Sequence, residues 1–276
     1  MKDKYTMVQK FRIINNERSA ILATNFYNFE TLKGVLLAAK QTKSPIILQL
    51  TQSSIEYMGL ENSFNMAQTA IKTFGVEAWI HLDHGGSVDL AKKCLDIGFD
   101  SVMYDGSELP LEENIKNTKE VVDYAKKFGA NVEAELGYIA KLGQDKDITG
   151  YTEVDSAIRF VQETNVNTLA VAIGTAHGFY KEKPKLDFER LAAIKKAVKI
   201  PLVLHGGSGI SDIDLKKSVE NGICKINVAT EIKNVFTQTL KEELNKSQEI
   251  DLRKTFPKAT KAVTDLIVKK IMTIKK

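Results

Sequence analysis

An α/β fold, a closed (β/α)8 TIM barrel with an extra C-terminal helix, is the architecture this sequence predicts. Three observations predict it. Strand-like and helix-like segments alternate through about eight units, with short connections, which argues for a parallel sheet closed on itself. The strand-like segments are near-continuous apolar runs, as strands covered on both faces must be. The length, 276 residues, suits one barrel of this kind.

The units follow in order. Ser19–Thr24 reads as a strand and Phe29–Gln41 as its helix; Pro45–Leu50 is followed by Asn62–Phe74. Ala78–Leu82 leads to Val88–Asp96, and Ser101–Tyr104 to Leu111–Phe128. Asn131–Leu136 leads, after a long loop, to Glu153–Thr164, and Thr168–Ile173 to Phe188–Val198. Pro201–Leu204 precedes Ile213–Asn221, and Ile223–Val228 precedes Glu231–Lys246. Ser87, Ser211 and either Thr152 or Asp155 are expected N-caps; Gly75, Gly98, Gly129 and Gly222 are expected helix ends. A last helix, Ala259–Ile274, is expected outside the barrel or against a partner subunit. No linker or low-complexity stretch interrupts residues 1–276, so one domain is expected.

Composition narrows the function classes. The hydrophobic share of 43% and charged share of 27% are those of an ordinary soluble globular chain. A net charge of +4, spread along the chain, suits a small anionic substrate and gives no nucleic-acid signature. No apolar run approaches the roughly 18 residues of a membrane span, and MKDKYTMVQKF lacks the apolar core of a signal peptide. Cys94 and Cys224 form no CxxC pattern and read as buried thiols in a reducing compartment, so a cytoplasmic protein is expected.

Of the four histidines, three lie in glycine-flanked loops after strands: His84 in HLDHGG, His177 in GTAHG and His205 in LHGGSG. They follow the third, sixth and seventh strands. Barrel chemistry sits at the C-terminal strand ends, so all three are expected in one mouth. Three imidazoles holding Zn2+ with a coordination position left open make a catalytic metal site. Asp83, next to His84, is expected to point to the other side of the strand and to act as an acid/base group beside the metal. His81 is read as a core residue, or as one that orients a neighbour.

HGGSG (His205–Gly209) and NVAT (Asn227–Thr230) each lead into a helix after strands seven and eight. Close-approaching glycine backbone and free helix N–H groups suit a phosphate; tight-turn chemistry is the alternative. Asp105, Glu133 and Glu135 end strands four and five. They are open to three readings: supports for the ligands, alternate metal ligands, or core ion-pair members with Lys225.

Together HLDHGG, SVMYDGS, VEAELG, AVAIGTAHG, LVLHGGSG and GICKINVATE resemble the signatures of the class II, zinc-dependent ketose-bisphosphate aldolases, in the family's order, over nearly the whole chain. The wording around AVAIGTAHGFY and CKINVATEIKN is similar to the tagatose-bisphosphate branch, with the fructose branch not far. The resemblance implies reversible cleavage of a ketose 1,6-bisphosphate into dihydroxyacetone phosphate and glyceraldehyde 3-phosphate. It implies that His84, His177 and His205 bind zinc, with Asp105 and Glu135 as alternate metal positions. Asp83 would exchange the C4 hydroxyl proton. Gly178, Gly206, Gly207 and Ser208, with Asn227, Val228, Ala229 and Thr230, would hold dihydroxyacetone phosphate. A monovalent cation (Na+ or K+) near the phosphate and a homodimer or homotetramer are also implied.

Two departures from the family pattern bear on the substrate. The acidic stretch usual after VEAELG is replaced by YIAKLGQDKDITG, where Asp145 or Asp147 would have to serve. Lys258-Ala259-Thr260 stands where relatives read PAR, leaving Lys258, Lys261 or Arg253 as candidates for a second phosphate. The Thr260 departure keeps open the same cleavage on a different ketose (a deoxy-keto acid phosphate or a sulfonated sugar); a non-catalytic subunit and a Schiff-base aldolase using Lys225 are separate alternatives.

Overall fold

The computed structural model describes residues 5–137, 139, 150–180 and 182–275. Its centre is a closed barrel of eight parallel strands in chain order, β8 returning to pair with β1. The strands are β1 (Ile21–Asn25), β2 (Ile46–Thr51), β3 (Ala78–Gly85), β4 (Ser101–Tyr104), β5 (Asn131–Leu136), β6 (Thr168–Val171), β7 (Leu202–Leu204) and β8 (Ile223–Val228). Around them run α2 (Phe29–Thr42), α4 (Leu60–Phe74), α5 (Val88–Ile97), α6 (Leu111–Ala125), α7 (Val154–Thr164), α8 (Phe188–Val198), α9 (Asp212–Glu220) and α10 (Thr230–Lys246). Three more α-helices, α1 (Met7–Glu17) before the barrel, α3 (Gln52–Met58) between β2 and α4 and α11 (Leu252–Ile274) at the end, and a 3-10 turn (Lys126–Phe128) after α6 complete the described helices.

Side chains alternate across each strand, and the two sets have different tasks. Leu22, Leu48, Ile80, Val102, Ala134 and Ile226 face outward into the shell beneath the helices. Inward, the N-terminal end is apolar: Ile21, Ala23, Ile47, Trp79 and Cys224 pack with Met7, Phe11 and Ile14 of α1, which stoppers the barrel. α1 was not among the expected elements. Its Thr6–Gln9 capping box and the Trp79 indole N–H donating to the Tyr5 carbonyl (3.0 Å) fix it there. Toward the C-terminal end the inward positions turn polar, with Gln49, His81, Ser101, Asn131, Glu133 and Lys225 all buried. The upper half of the barrel is thus a buried polar layer and the lower half an ordinary core.

Capping matches expectation at Ser87 and Ser211, whose hydroxyls accept from Leu90 and Asp214 N–H. It differs at α7. Glu153 precedes that helix with no side-chain cap, and Thr152 instead donates to the Leu136 carbonyl and accepts from Ala172 N–H (2.8 Å), stitching β5 to β6. α11 begins at Leu252 rather than Ala259, because Asp251 caps it and Pro257 is tolerated within. It lies on the outside of the barrel. Gly34 of α2 lets it approach: a Cβ there would meet the Thr260 carbonyl at 2.9 Å, and Thr264 donates to the Gly34 carbonyl (3.1 Å). Among the described residues no helix is long and apolar enough to cross a membrane.

Candidate active site

The three loop histidines do converge. The ring centroids of His84 and His205 are 4.7 Å apart, those of His84 and His177 4.8 Å, and those of His177 and His205 5.9 Å. With Glu135 they present four donor atoms within 4.8 Å of one another. A single ion could sit among them, and the donor set, three imidazoles and a carboxylate, suits zinc.

Two of the three rings are oriented by carboxylates. His84 Nδ1 is held by Asp105 Oδ2 at 2.6 Å, and Ser107 donates to the other Asp105 oxygen through both its N–H and its hydroxyl. That leaves His84 Nε2, a buried atom with no hydrogen-bond partner, turned toward the cluster. His205 is fully buried, with Nδ1 at 2.8 Å from Glu135 and Nε2 at 3.0 Å from Glu133. Burial acts against its proton, but the two carboxylates override that and push it up to about 10. His177 is lowered to about 3 by burial and by the neighbouring His84 and His205.

Beneath the cluster a polar chain runs through the barrel. Both oxygens of Glu133 accept from Lys225 Nζ (2.9 and 2.8 Å), and Lys225 also donates to His81 Nε2 (3.1 Å). Burial and the Lys225 ammonium lower His81 to about 3, so it is neutral and its Nδ1–H donates to Ser101 Oγ (2.8 Å). Burial opposes ionisation of Glu133, but the Lys225 ammonium and the His205 imidazolium hold its carboxyl well below the usual range. Of the three readings left open for the acids, Glu133 is therefore the core ion-pair member, Asp105 holds the His84 ring, and Glu135 stands inside the donor cluster. Lys225, with no exposed surface, is sealed by Glu133 and His81 and does not line the cavity, which removes it as a Schiff-base residue.

Asp83 does not point away from His84, as simple alternation predicted. The β3–β4 register shifts between Leu82 and Gly85, and His84 takes a left-handed backbone (φ 51°). This bulge turns both side chains into the mouth, with His84 Nε2 4.0 Å from Asp83 Oδ1. Asp83 is 5% exposed and gripped by three amides: Asn25 Nδ2 (2.9 Å), Gln49 Nε2 (2.9 Å) and Asn227 Nδ2 (3.2 Å). Burial disfavours its charge, but His84, Lys225, His205 and these amides outweigh that and lower its carboxyl, so it is ionised.

A cavity of about 640 Å³ opens above these groups. Asp83, His84, Asp105, His177, Gly178, Gly206, Ser208, Asn227, Ala229 and Thr230 line it. His205 and Glu135 lie below the lining. Gly207 and Val228, expected to hold substrate, do not line the cavity. Gly207 donates its N–H to the Asn227 carbonyl (2.9 Å), and Val228 packs in the shell beneath the helices. Asn227 divides its role: its amide N–H2 serves Asp83, and its buried Oδ1 has no partner. At Gly206 (φ 68°) glycine is required on two counts, since a Cβ would also run into the Ala176 backbone. Tyr180 locks that approach. Its hydroxyl accepts from Ala176 N–H (2.8 Å) and donates to the Gly206 carbonyl (2.9 Å), joining the His177 loop to the His205 loop.

Asn25, Gln49 and Tyr180 escaped the sequence reading. The signal for the first two was a lone amide residue near the end of an otherwise apolar strand, ILATN and IILQL. Asp145 and Asp147 lie outside the described residues.

The family model for class II fructose-bisphosphate aldolase matches residues 5–276. This chain belongs to that family. The aldolase YdjI from Escherichia coli is 36% identical, with 96% of this chain and 94% of that one covered and a TM-score of 0.86. A protein from Coccidioides immitis, provisionally assigned as a fructose-1,6-bisphosphate aldolase, is 30% identical over 99% and 97% of the two chains, with a TM-score of 0.87. A fructose-bisphosphate aldolase from Campylobacter jejuni, 23% identical over 96% and 93%, has a TM-score of 0.81 and shares the fold. The chain is accordingly a lyase of the class II aldolase type, from a family that is in general zinc-dependent and acts on phosphorylated sugars.

Proposed function

We propose that this class II aldolase uses Zn2+ held by His84, His177 and His205 to cleave a ketose 1-phosphate reversibly into dihydroxyacetone phosphate and an aldehyde. The observation that carries the reading is the ionised, amide-gripped Asp83 beside a four-donor cluster in one cavity. Cleaving the C3–C4 bond leaves a carbanion next to the C2 carbonyl, and a bound zinc would supply Lewis-acid stabilisation of that charge. Asp83 takes the C4 hydroxyl proton as the aldehyde leaves and returns it in condensation. Its three amides hold it in place and keep it charged until then. Gly206, Ser208 and the start of α10 offer backbone and hydroxyl donors where phosphates bind in this fold, with Lys233 one turn further along α10. Gly178 lines the same space. A monovalent cation beside the phosphate and a homodimeric or larger assembly remain part of the proposal.

The first expectation was a 1,6-bisphosphate of the tagatose or fructose type. One feature favours a second reading, a substrate with no distal phosphate. After β2 the cavity wall is Thr51, Gln52, Ser53 and Glu56, with Gln52 donating to Glu56 (2.9 Å). The three candidate cations for a second phosphate are engaged elsewhere: Lys258 with Glu243 (2.5 Å), Lys261 with Asp265 (2.6 Å) and Arg253 with Asp251 (2.9 Å). Those hydroxyls and carboxylate suit a polyol better than an anion.

Chelation followed by zinc add-back tests the metal; retro-aldol activity that survives chelation sinks it. A kinetic comparison of ketose 1-phosphates with the matching 1,6-bisphosphates separates the two substrate readings. Higher kcat/KM on the bisphosphates returns the first expectation.

A further inference from the structure

Lys270, on the last helix, is 4% exposed and ends 2.9 Å from Glu231 Oε2. A buried ammonium is tolerated only when paired, so the contact is a defined one. Glu231 is in the first turn of α10, the residue after Thr230 of the cavity lining. Its other carboxylate oxygen accepts from Gly209 N–H (3.2 Å). Its own N–H donates to Ser208 Oγ (3.4 Å), which also takes the Ala229 N–H (3.3 Å). One residue thus ties the end of the HGGSG loop to the start of α10, the two segments that make the phosphate-type corner of the cavity. Neither Lys270 nor Glu231 lines the cavity itself.

Two physical demands conflict at Glu231. The clamp on Gly209 needs an acceptor, and a carboxylate in the first turn suits the helix dipole. The same negative charge, beside a corner that receives an anion, would repel it and cancel the positive end of α10. Lys270 resolves the conflict by neutralising Glu231 from behind, out of reach of the substrate.

We propose that Lys270 and Glu231 form a positioning pair that keeps the anion corner both clamped and electrically open, so that α11 contributes to phosphate binding without touching the ligand. The proposal rests on the phosphate-site reading above.

Inorganic phosphate is the probe, titrated calorimetrically into the zinc-loaded full chain and its variants. Lys270→Met leaves Glu231 unneutralised and weakens phosphate by about fivefold or more, the size of one uncompensated charge near a bound anion. Glu231→Gln keeps an acceptor for Gly209 and removes the charge, so it tightens phosphate by about two- to fivefold. The double variant E231Q/K270M returns to within about threefold of the parent, because no charge is left to compensate. In turnover of a ketose 1-phosphate the same order appears in KM, with kcat little changed.

A merely structural pair gives a different order: every variant weakens phosphate, and the double is the worst. That order overturns the proposal. Should Lys270→Met fail to fold, E231Q alone decides, since weaker or unchanged phosphate binding in a folded E231Q contradicts the charge argument. Phosphate binding by the parent with no cleavage of any ketose phosphate would instead count against the aldolase reading and leave the pair standing.

Discussion

Replacing Glu133 with glutamine is the most searching test of the buried chain beneath the cluster. The substitution keeps size and one acceptor oxygen but removes the charge. In the parent both carboxylate oxygens accept from Lys225 (2.9 and 2.8 Å), and one also faces His205 Nε2 at 3.0 Å. All three groups are fully buried. Breaking a buried ion pair from one side costs about 3–5 kcal/mol, because the remaining charge has no water to turn to. Lys225 keeps only neutral acceptors, the amide oxygen and the His81 nitrogen at 3.1 Å. The same change removes the anionic partner that orients His205 from the side away from Glu135. Loss of such a partner lowers metal affinity by about 10- to 100-fold. Urea unfolding of the metal-free proteins reads the first effect, and zinc titration of the folded variant against a competing chelator reads the second. Glu133→Gln with Lys225→Met, which removes both charges, should recover at least half of the lost stability. A single variant within about 1 kcal/mol of the parent, with unchanged zinc affinity, would refute the reasoning, since a net hydrogen bond alone is worth that much.

Gly206→Ala puts a methyl group against the Ala176 backbone at a left-handed φ, so activity falls and stability drops by more than about 1 kcal/mol; a fully active, equally stable variant contradicts the close approach. Tyr180→Phe removes an acceptor from Ala176 N–H and a donor to the Gly206 carbonyl, and thermal unfolding should register about 1–3 kcal/mol with raised KM; an unaltered KM would show that the two histidine loops hold their places without it. Burial pushes the Cys94 thiol up to about 12 and also raises Cys224, so at pH 8 only about one Cys94 in ten thousand is thiolate. A disulfide-exchange reagent should therefore leave both thiols untouched in the folded chain and titrate both in denaturant; rapid modification of the native protein would contradict the packing.

The barrel was legible because its signals are local. Eight apolar runs, caps at Ser87 and Ser211, and glycine helix ends at Gly75 and Gly98 each depend on neighbours in the chain, and each is found. α1 and α3 were not legible. The first is a modest amphipathic turn-starter whose value lies in covering the barrel bottom, and the second is a short stretch after β2.

The sequence alone determined which residues could do chemistry here. Histidine is scarce, so its three placements after strands carried information, and a parallel barrel sends all such strand ends to one mouth. Tertiary structure alone decided how those residues are held. Asp83 and His84 share the cavity because a bulge and a left-handed His84 override the two-residue period of a strand. Glu133 and Glu135, alike in sequence pattern, separate into a lysine's counter-ion and a member of the donor cluster by their depth in the barrel. Val228 and Asn227 are neighbours with opposite fates because side chains alternate across β8, one facing the helices and one the mouth. Composition and spacing are properties of the chain, whereas partners that lie 58, 72 or 92 residues apart, such as Asn25 with Asp83, Glu133 with His205, or Glu133 with Lys225, meet only when the sheet closes.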